Sequence, residues 1–155
     1  MTEKFMPMMV PITEVPFHDE MEKYRQVVLV VDDERIIADT LSVILTNNGF
    51  AALAAYSGKG ALEIAKTTPP DLLISDVVMP GMTGVELAIA LVKEVPDCKV
   101  LLFSGQASTV DLLAEARAAG HDFSALAKPI HPKDLLARVS RCLEEARPGA
   151  VCLPA

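Results

Sequence analysis

Hydrophobic and polar positions settle into a regular alternation at Gln26. Val27-Val28-Leu29-Val30-Val31 is an unbroken apolar run, as expected of a strand buried on both faces. Residues 34–47 then carry Ile37, Leu41, Ile44 and Leu45 at helical spacing, and Asn48-Gly49 stops the segment with residues that tolerate a left-handed backbone. The unit repeats with a strand over 50–55 and a helix over 58–66, which Pro69-Pro70 ends. A third strand over 72–74 precedes a helix opened by the Thr83-x-x-Glu86 capping box and closed by Pro96. A fourth strand over 100–103 precedes a helix that starts at a second box-like segment, Ser108 to Asp111, and ends at Gly120. A short fifth strand over 123–127 leads to a last helix begun by Pro132, with Leu135, Leu136, Val139, Cys142 and Leu143 on its apolar side. Five strands alternating with five helices predict an α/β fold, a doubly wound parallel sheet covered on both faces.

Residues 1–25 lack this rhythm. They hold five of the seven methionines and three prolines, and are expected to be a tail with a short helix around 18–24. The domain is therefore expected over 26–146, with a short C-terminal tail at 147–155. A length of 155 residues, 51% of them apolar, suits one core. The longest apolar runs fall well short of the roughly 20 residues that span a bilayer, and Pro7 and Pro11 spoil a signal peptide after Lys4. A cytoplasmic protein with no membrane partner is expected. Twenty-one acidic residues against 14 basic ones, with no basic run, argue against direct nucleic-acid binding, which draws its affinity from neutralised phosphates. Cys98, Cys142 and Cys152 lack metal-ligand spacing and are expected to be reduced thiols, the first two as buried filler.

In parallel sheets ligands bind beyond the carboxyl ends of the strands. Those ends carry Asp32 and Asp33 after the first strand, Asp76 after the third, Ser104 after the fourth and Lys128 after the fifth. Three carboxylates packed together repel one another and should raise at least one carboxyl pKa. A divalent cation removes the conflict, and an all-oxygen set suits Mg²⁺. A lysine at the same edge supplies a point charge suited to a phosphoryl group, and a hydroxyl can donate to a phosphoryl oxygen. Each residue also has an ordinary reading: Asp32 and Asp33 as helix caps, Ser104-Gly105 as a turn, Lys128 as a solvated side chain. His18, His121 and His131 show no ligand spacing and read as surface residues.

The segments Leu29-Val30-Val31-Asp32-Asp33-Glu34, Asp71 through Gly84, Phe103-Ser104-Gly105 and Ala127-Lys128-Pro129 together resemble the receiver domain of two-component response regulators, including chemotaxis-type regulators, over about Gln26 to Glu145. The resemblance implies a flavodoxin-like (βα)5 fold with strand order 2-1-3-4-5. It implies Asp76 as the phosphoacceptor, with a sensor histidine kinase or histidine phosphotransfer protein as donor. It implies Mg²⁺ held directly by Asp33, Asp76 and the backbone carbonyl of Val78, and by Asp32 through water. Ser104 and Lys128 would contact the phosphoryl group, and the Lys128-Pro129 bond would be cis. On this reading the chain is no enzyme beyond its own phosphorylation and dephosphorylation.

Two features depart from or extend that pattern. Ala125 stands where many receivers carry an aromatic side chain three residues before the lysine, with Phe123 two positions away on the same strand face. The residues outside 26–146 are too few for an effector domain, so the expectation is a stand-alone receiver, or one excised from a longer polypeptide, acting on a downstream protein target as a monomer or a phosphorylation-dependent dimer. Competing readings are a pseudo-receiver used only for interaction, a haloacid-dehalogenase-type phosphatase, and a flavin binder. The phosphatase needs Asp-x-Asp after the first strand, where this chain has Asp32-Asp33-Glu34; the flavin binder needs a phosphate loop, which those residues repel.

Overall fold

The computed structural model describes residues 25–105, 109–121, 123 and 125–144. The expected short helix at 18–24, the box residue Ser108, Cys152 and both tails lie outside the described residues. Five strands, β1 (Val27–Val31), β2 (Ala51–Ala55), β3 (Leu72–Asp76), β4 (Lys99–Ser104) and β5 (Ala125–Ala127), form one parallel sheet in the order β2-β1-β3-β4-β5. They alternate with α1 (Arg35–Asn47), α2 (Gly58–Thr67), α3 (Gly84–Glu94), α4 (Thr109–Ala118) and α5 (Pro132–Glu144). Among the described residues no helix is long and apolar enough to cross a membrane.

The unbroken apolar strands have a direct structural cause. Along β1, Leu29 and Val31 enter one core with Leu73, Val100 and Leu102, while Val28 and Val30 enter another with Leu72, Ile74, Leu101 and Phe103. Helices α2, α3 and α4 cover the first face, and α1 and α5 the second. Each face buries several fully enclosed Leu, Ile and Val side chains, at about 1.5–3 kcal/mol per side chain.

Element ends differ from expectation where backbone groups have other work. Phe50 belongs to no strand, because its N–H bonds the Leu45 carbonyl while the N–H of Gly49 (φ +98°) bonds that of Thr46, closing α1 in a Schellman turn. Gly120 (φ +97°) and His121 close α4 the same way through Arg117 and Ala116. The last strand is only Ala125–Ala127; Phe123 lies before it, buried in the same core that Ala125 packs against and stacked 5.7 Å from His121. β4 is longer than expected, starting at the buried Lys99. The Thr83–Glu86 box forms as read: Thr83 Oγ1 accepts from the Glu86 N–H at 3.1 Å, and Glu86 Oε1 accepts from the Thr83 N–H at 2.9 Å.

The cysteines divide. Cys142, on the buried side of α5, is disulfide-bonded, which overturns the expectation that all three are reduced: an odd count still leaves room for one pair, and the absence of metal-ligand spacing says nothing about pairing. Cys98 is the buried free thiol expected of filler, and burial pushes its pKa up to about 12, with the Asp71 carboxylate adding to the rise. Thiolate is the reactive form. At pH 8 iodoacetamide should therefore leave Cys98 unmodified in the native protein and alkylate it after denaturation; peptide mass mapping that finds native labelling contradicts the burial.

Candidate functional site

Parallel pairing brings the carboxyl ends of β1, β3, β4 and β5 to one edge. Asp32 follows β1, where its N–H bonds the Ala55 carbonyl at the end of β2 (3.2 Å). Asp76 ends β3 opposite Phe103, and the next N–H, that of Val77, bonds the Phe103 carbonyl. Ser104, buried at the end of β4, pairs with Ala127, and its carbonyl accepts from the Lys128 N–H at 2.9 Å. The Lys128-Pro129 peptide is cis.

One carboxylate oxygen from each of Asp32, Asp33 and Asp76 lies within 4.8 Å of the other two. Lys128 reaches across them, its Nζ donating to Asp32 Oδ2 at 3.1 Å and standing 3.5 Å from Asp76 Oδ2. Asp32 is buried, Asp33 exposed and Asp76 between the two. The capping reading of the aspartates fails. The N-cap of α1 is Glu34 with no side-chain cap, and Asp32 Oδ1 instead accepts from the Glu34 N–H at 2.9 Å in a local turn. Lys128 is no freely solvated side chain either.

The electrostatics follow from this packing. Burial raises the Asp76 carboxyl pKa most; Lys128 pulls it down, and Asp32 and Asp33 push it up again. The expected mutual repulsion is present, but burial is the larger cause. For Lys128 burial is also the largest single influence and lowers the pKa, yet the hydrogen bond to Asp32 and the charges of Asp76 and Asp32 together outweigh it, so the ammonium is held above its usual value. The ammonium is shared between Asp32 and Asp76. The donor set is all oxygen, converges from two strand ends and keeps one open flank at Asp33, which fits a Mg²⁺ ion.

Other residues matter here that sequence reasoning passed over. Gly84, the first residue of α3, donates to the Val77 carbonyl at 2.8 Å, and a Cβ on it would overlap the Asp76 carbonyl. Ser75 Oγ donates to that same carbonyl at 2.8 Å. The Arg35 guanidinium lies 4.0 Å over the Tyr56 ring, and the Tyr56 hydroxyl donates to Asp39 Oδ1 at 2.6 Å. The only available signal was a glycine inside a capping box.

Known proteins with similar sequences and structures show which family the chain is similar to. The chain is 32% identical over 119 residues to the DNA-binding response regulator MtrA of Mycobacterium tuberculosis, covering 77% of this chain and 51% of the relative. It is 34% identical over 123 residues to the transcriptional regulatory protein CreB of Escherichia coli, covering 79% and 53%. The chain thus spans about half the length of these curated relatives. A CheY-like receiver domain protein from Methanospirillum hungatei superposes with a TM-score of 0.71 at 28% identity, covering 77% of this chain and 94% of that one. The response regulator TrrA of Thermotoga maritima, solved in complex with Mg(2+)-BeF, superposes with a TM-score of 0.63 at 29% identity, covering 76% and 98%. A family model described as the response regulator receiver domain matches residues 28–140, and the chain belongs to that family.

Proposed function

We propose that this chain accepts a phosphoryl group on Asp76 from a histidine kinase or histidine phosphotransfer protein, in a Mg²⁺-dependent reaction, and signals through contact with a protein target. The observation that carries the reading is the Asp32–Asp33–Asp76 cluster spanned by the Lys128 ammonium. Asp76 Oδ attacks phosphorus, the P–N bond of the donor phosphohistidine breaks, and its electron pair leaves on the imidazole nitrogen. Such transfer needs positioning and charge neutralisation more than covalent machinery. Asp33, Asp76 and the Val78 carbonyl would hold Mg²⁺, with Asp32 acting through water, and the ion would supply positive charge that favours ionised Asp76 and offsets the incoming phosphoryl oxygens. Lys128 pairs with a phosphoryl oxygen, and the Ser104 hydroxyl donates to another. Ile36, 80% exposed at the lip of an opening beside Asp33, offers an apolar contact for the donor protein.

On this reading the chain turns over no substrate beyond its own acyl phosphate, works in the cytoplasm, and acts as a monomer or a phosphorylation-dependent dimer. Ala125 removes the usual aromatic partner of a moving Ser104, and Phe123, packed in the same core, does not replace it as a strand residue. Output then rests on loop movement or another side chain.

Intact mass after incubation with acetyl phosphate tests the reading. The expected result is a gain of one phosphoryl group with Mg²⁺, none in EDTA, and loss of the adduct in hydroxylamine, which cleaves acyl phosphates. No gain under any condition leaves the pseudo-receiver interaction module as the better account. Steady release of inorganic phosphate without an adduct favours the phosphatase.

A further inference from the structure

The turn between β1 and α1 carries two of the three clustered carboxylates, yet the helix that follows it starts poorly. Glu34 makes no side-chain cap, and the first turn of α1 beyond it contains no acidic residue to complement the helix dipole. Within the turn Asp32 Oδ1 accepts from the Glu34 N–H, and three further contacts tie the turn and the start of α1 to the end of β2. The Asp32 N–H bonds the Ala55 carbonyl; the Arg35 guanidinium lies 4.0 Å over the Tyr56 ring; the Tyr56 hydroxyl donates to Asp39 Oδ1 at 2.6 Å. Arg35 and Asp39 are one turn apart on α1, so a single side chain grips the helix at two successive levels through chemically different ends. Tyr56 immediately precedes Ser57, whose hydroxyl caps α2 at 3.0 Å, so the gripping residue is itself tied to a well-formed helix start.

We propose that Tyr56 is a positioning residue for the acidic site: acting through Arg35 and Asp39, it fixes the uncapped start of α1 and thereby sets Asp32 and Asp33 at the spacing that Mg²⁺ requires. This rests on the metal-dependent reading of the site given above. Tyr56 touches neither the ion nor the phosphoryl group. Loosening the turn spreads the carboxylates over a wider range of separations, and a small octahedral ion tolerates that poorly. Loss of outer residues that orient metal ligands commonly weakens metal binding by roughly 10–100-fold, and a residue acting one step further out should give about three- to tenfold.

The test titrates Mg²⁺ calorimetrically into wild type, Tyr56→Phe and Tyr56→Leu at a temperature well below each melting point. The phenyl ring keeps the surface under Arg35 and loses only the bond to Asp39, whereas leucine loses both. Mg²⁺ dissociation constants should rise in the order wild type, Tyr56→Phe, Tyr56→Leu, by about threefold and about tenfold. Saturating Mg²⁺ should restore the wild-type rate of acetyl phosphate labelling in both variants, a rescue that damage to the nucleophile would not allow. Affinities equal to wild type in both variants overturn the proposal, and so does a labelling defect that Mg²⁺ does not rescue. If Tyr56→Leu does not fold, Tyr56→Phe decides alone, and unchanged affinity there overturns it. Wild-type protein that binds no Mg²⁺ overturns the reading of the site and the role of Tyr56 with it, whereas wild-type binding with unaffected variants removes only Tyr56.

Discussion

Asp76→Asn abolishes the phosphoryl gain from acetyl phosphate and, in EDTA at neutral pH, melts above the wild type. The first effect follows from chemistry, since an amide oxygen is no nucleophile toward phosphorus and the other two carboxylates sit on a different strand end. The second follows from the site's electrostatics. Burial first, and then Asp32 and Asp33, hold the Asp76 pKa above its ordinary value despite the pull of Lys128. Its ionised form is thus less favourable in the folded protein than in the unfolded chain. A neutral isostere removes that penalty, while Lys128 retains its shorter contact, 3.1 Å to Asp32 against 3.5 Å to Asp76.

The sign of the pH dependence is fixed by the same shift. With the folded pKa raised, the folded state binds more protons, so wild-type stability falls as pH climbs from the ordinary carboxyl value of 3.8 through the folded pKa. The gap between wild type and Asp76→Asn should be smallest near the ordinary carboxyl value and widen as pH rises through the folded pKa, with the variant melting above the wild type at pH 7. Adding Mg²⁺ should stabilise the wild type more than the variant, because ligands shift stability only where they bind the folded state. Thermal melts at both pH values, with EDTA or Mg²⁺, check each step. An Asn variant that still gains a phosphoryl group ends the Asp76 assignment; one less stable than wild type in EDTA at pH 7 shows that the Lys128 attraction outweighs burial.

Much of this arrangement is legible in the sequence for physical reasons that can be named. A parallel strand is buried on both faces, so Val27–Val31 announces itself without any alternation to decode. Parallel strands also place their carboxyl ends at one edge, so Asp32, Asp76, Ser104 and Lys128 could be grouped from order alone. Apolar residues at element ends were harder. Phe50 reads as strand by type, but its N–H is committed to closing α1; Phe123 reads as strand and is buried, yet the described pairing begins at Ala125. Type and burial together still do not specify ladder hydrogen bonds. The grip of Tyr56 on Arg35 and Asp39 joins positions 17 and 21 residues apart on different elements, with no local period to betray it. The cause of the raised Asp76 pKa was legible only in part, because the pattern shows that carboxylates gather but not how deeply one of them is buried.

Gly84→Ala should lower the melting temperature by about 5 °C and slow phosphoryl acceptance, although by helix propensity alone it ought to stabilise by roughly 1 kcal/mol. Its backbone φ is not left-handed, so conformational strain is not the cause. Space is. A Cβ at this position overlaps the Asp76 carbonyl oxygen and falls 2.9 Å from its carbon and 3.0 Å from Ser75 Oγ. Two of those obstacles are backbone, which cannot rotate aside, and the Ser75 hydroxyl is engaged on the same carbonyl. Relief requires moving either the start of α3, held by the Gly84–Val77 bond and the Thr83–Glu86 box, or the end of β3, held to β4 at Phe103. Overpacking of this kind typically costs about 1–3 kcal/mol and more where backbone must shift, so the clash outweighs the propensity gain. Movement of β3 carries Asp76 away from Asp32 and Lys128, which ties the stability loss to slower labelling. Gly105→Ala is the matched control, because its Cβ would meet only Lys128 Cβ at an ordinary 3.7 Å. Thermal melts and acetyl phosphate labelling of both variants check the argument: Gly84→Ala melting with the wild type would show that α3 and β3 can part at little cost, and that Asp76 is not held where it is by the closeness of this one residue.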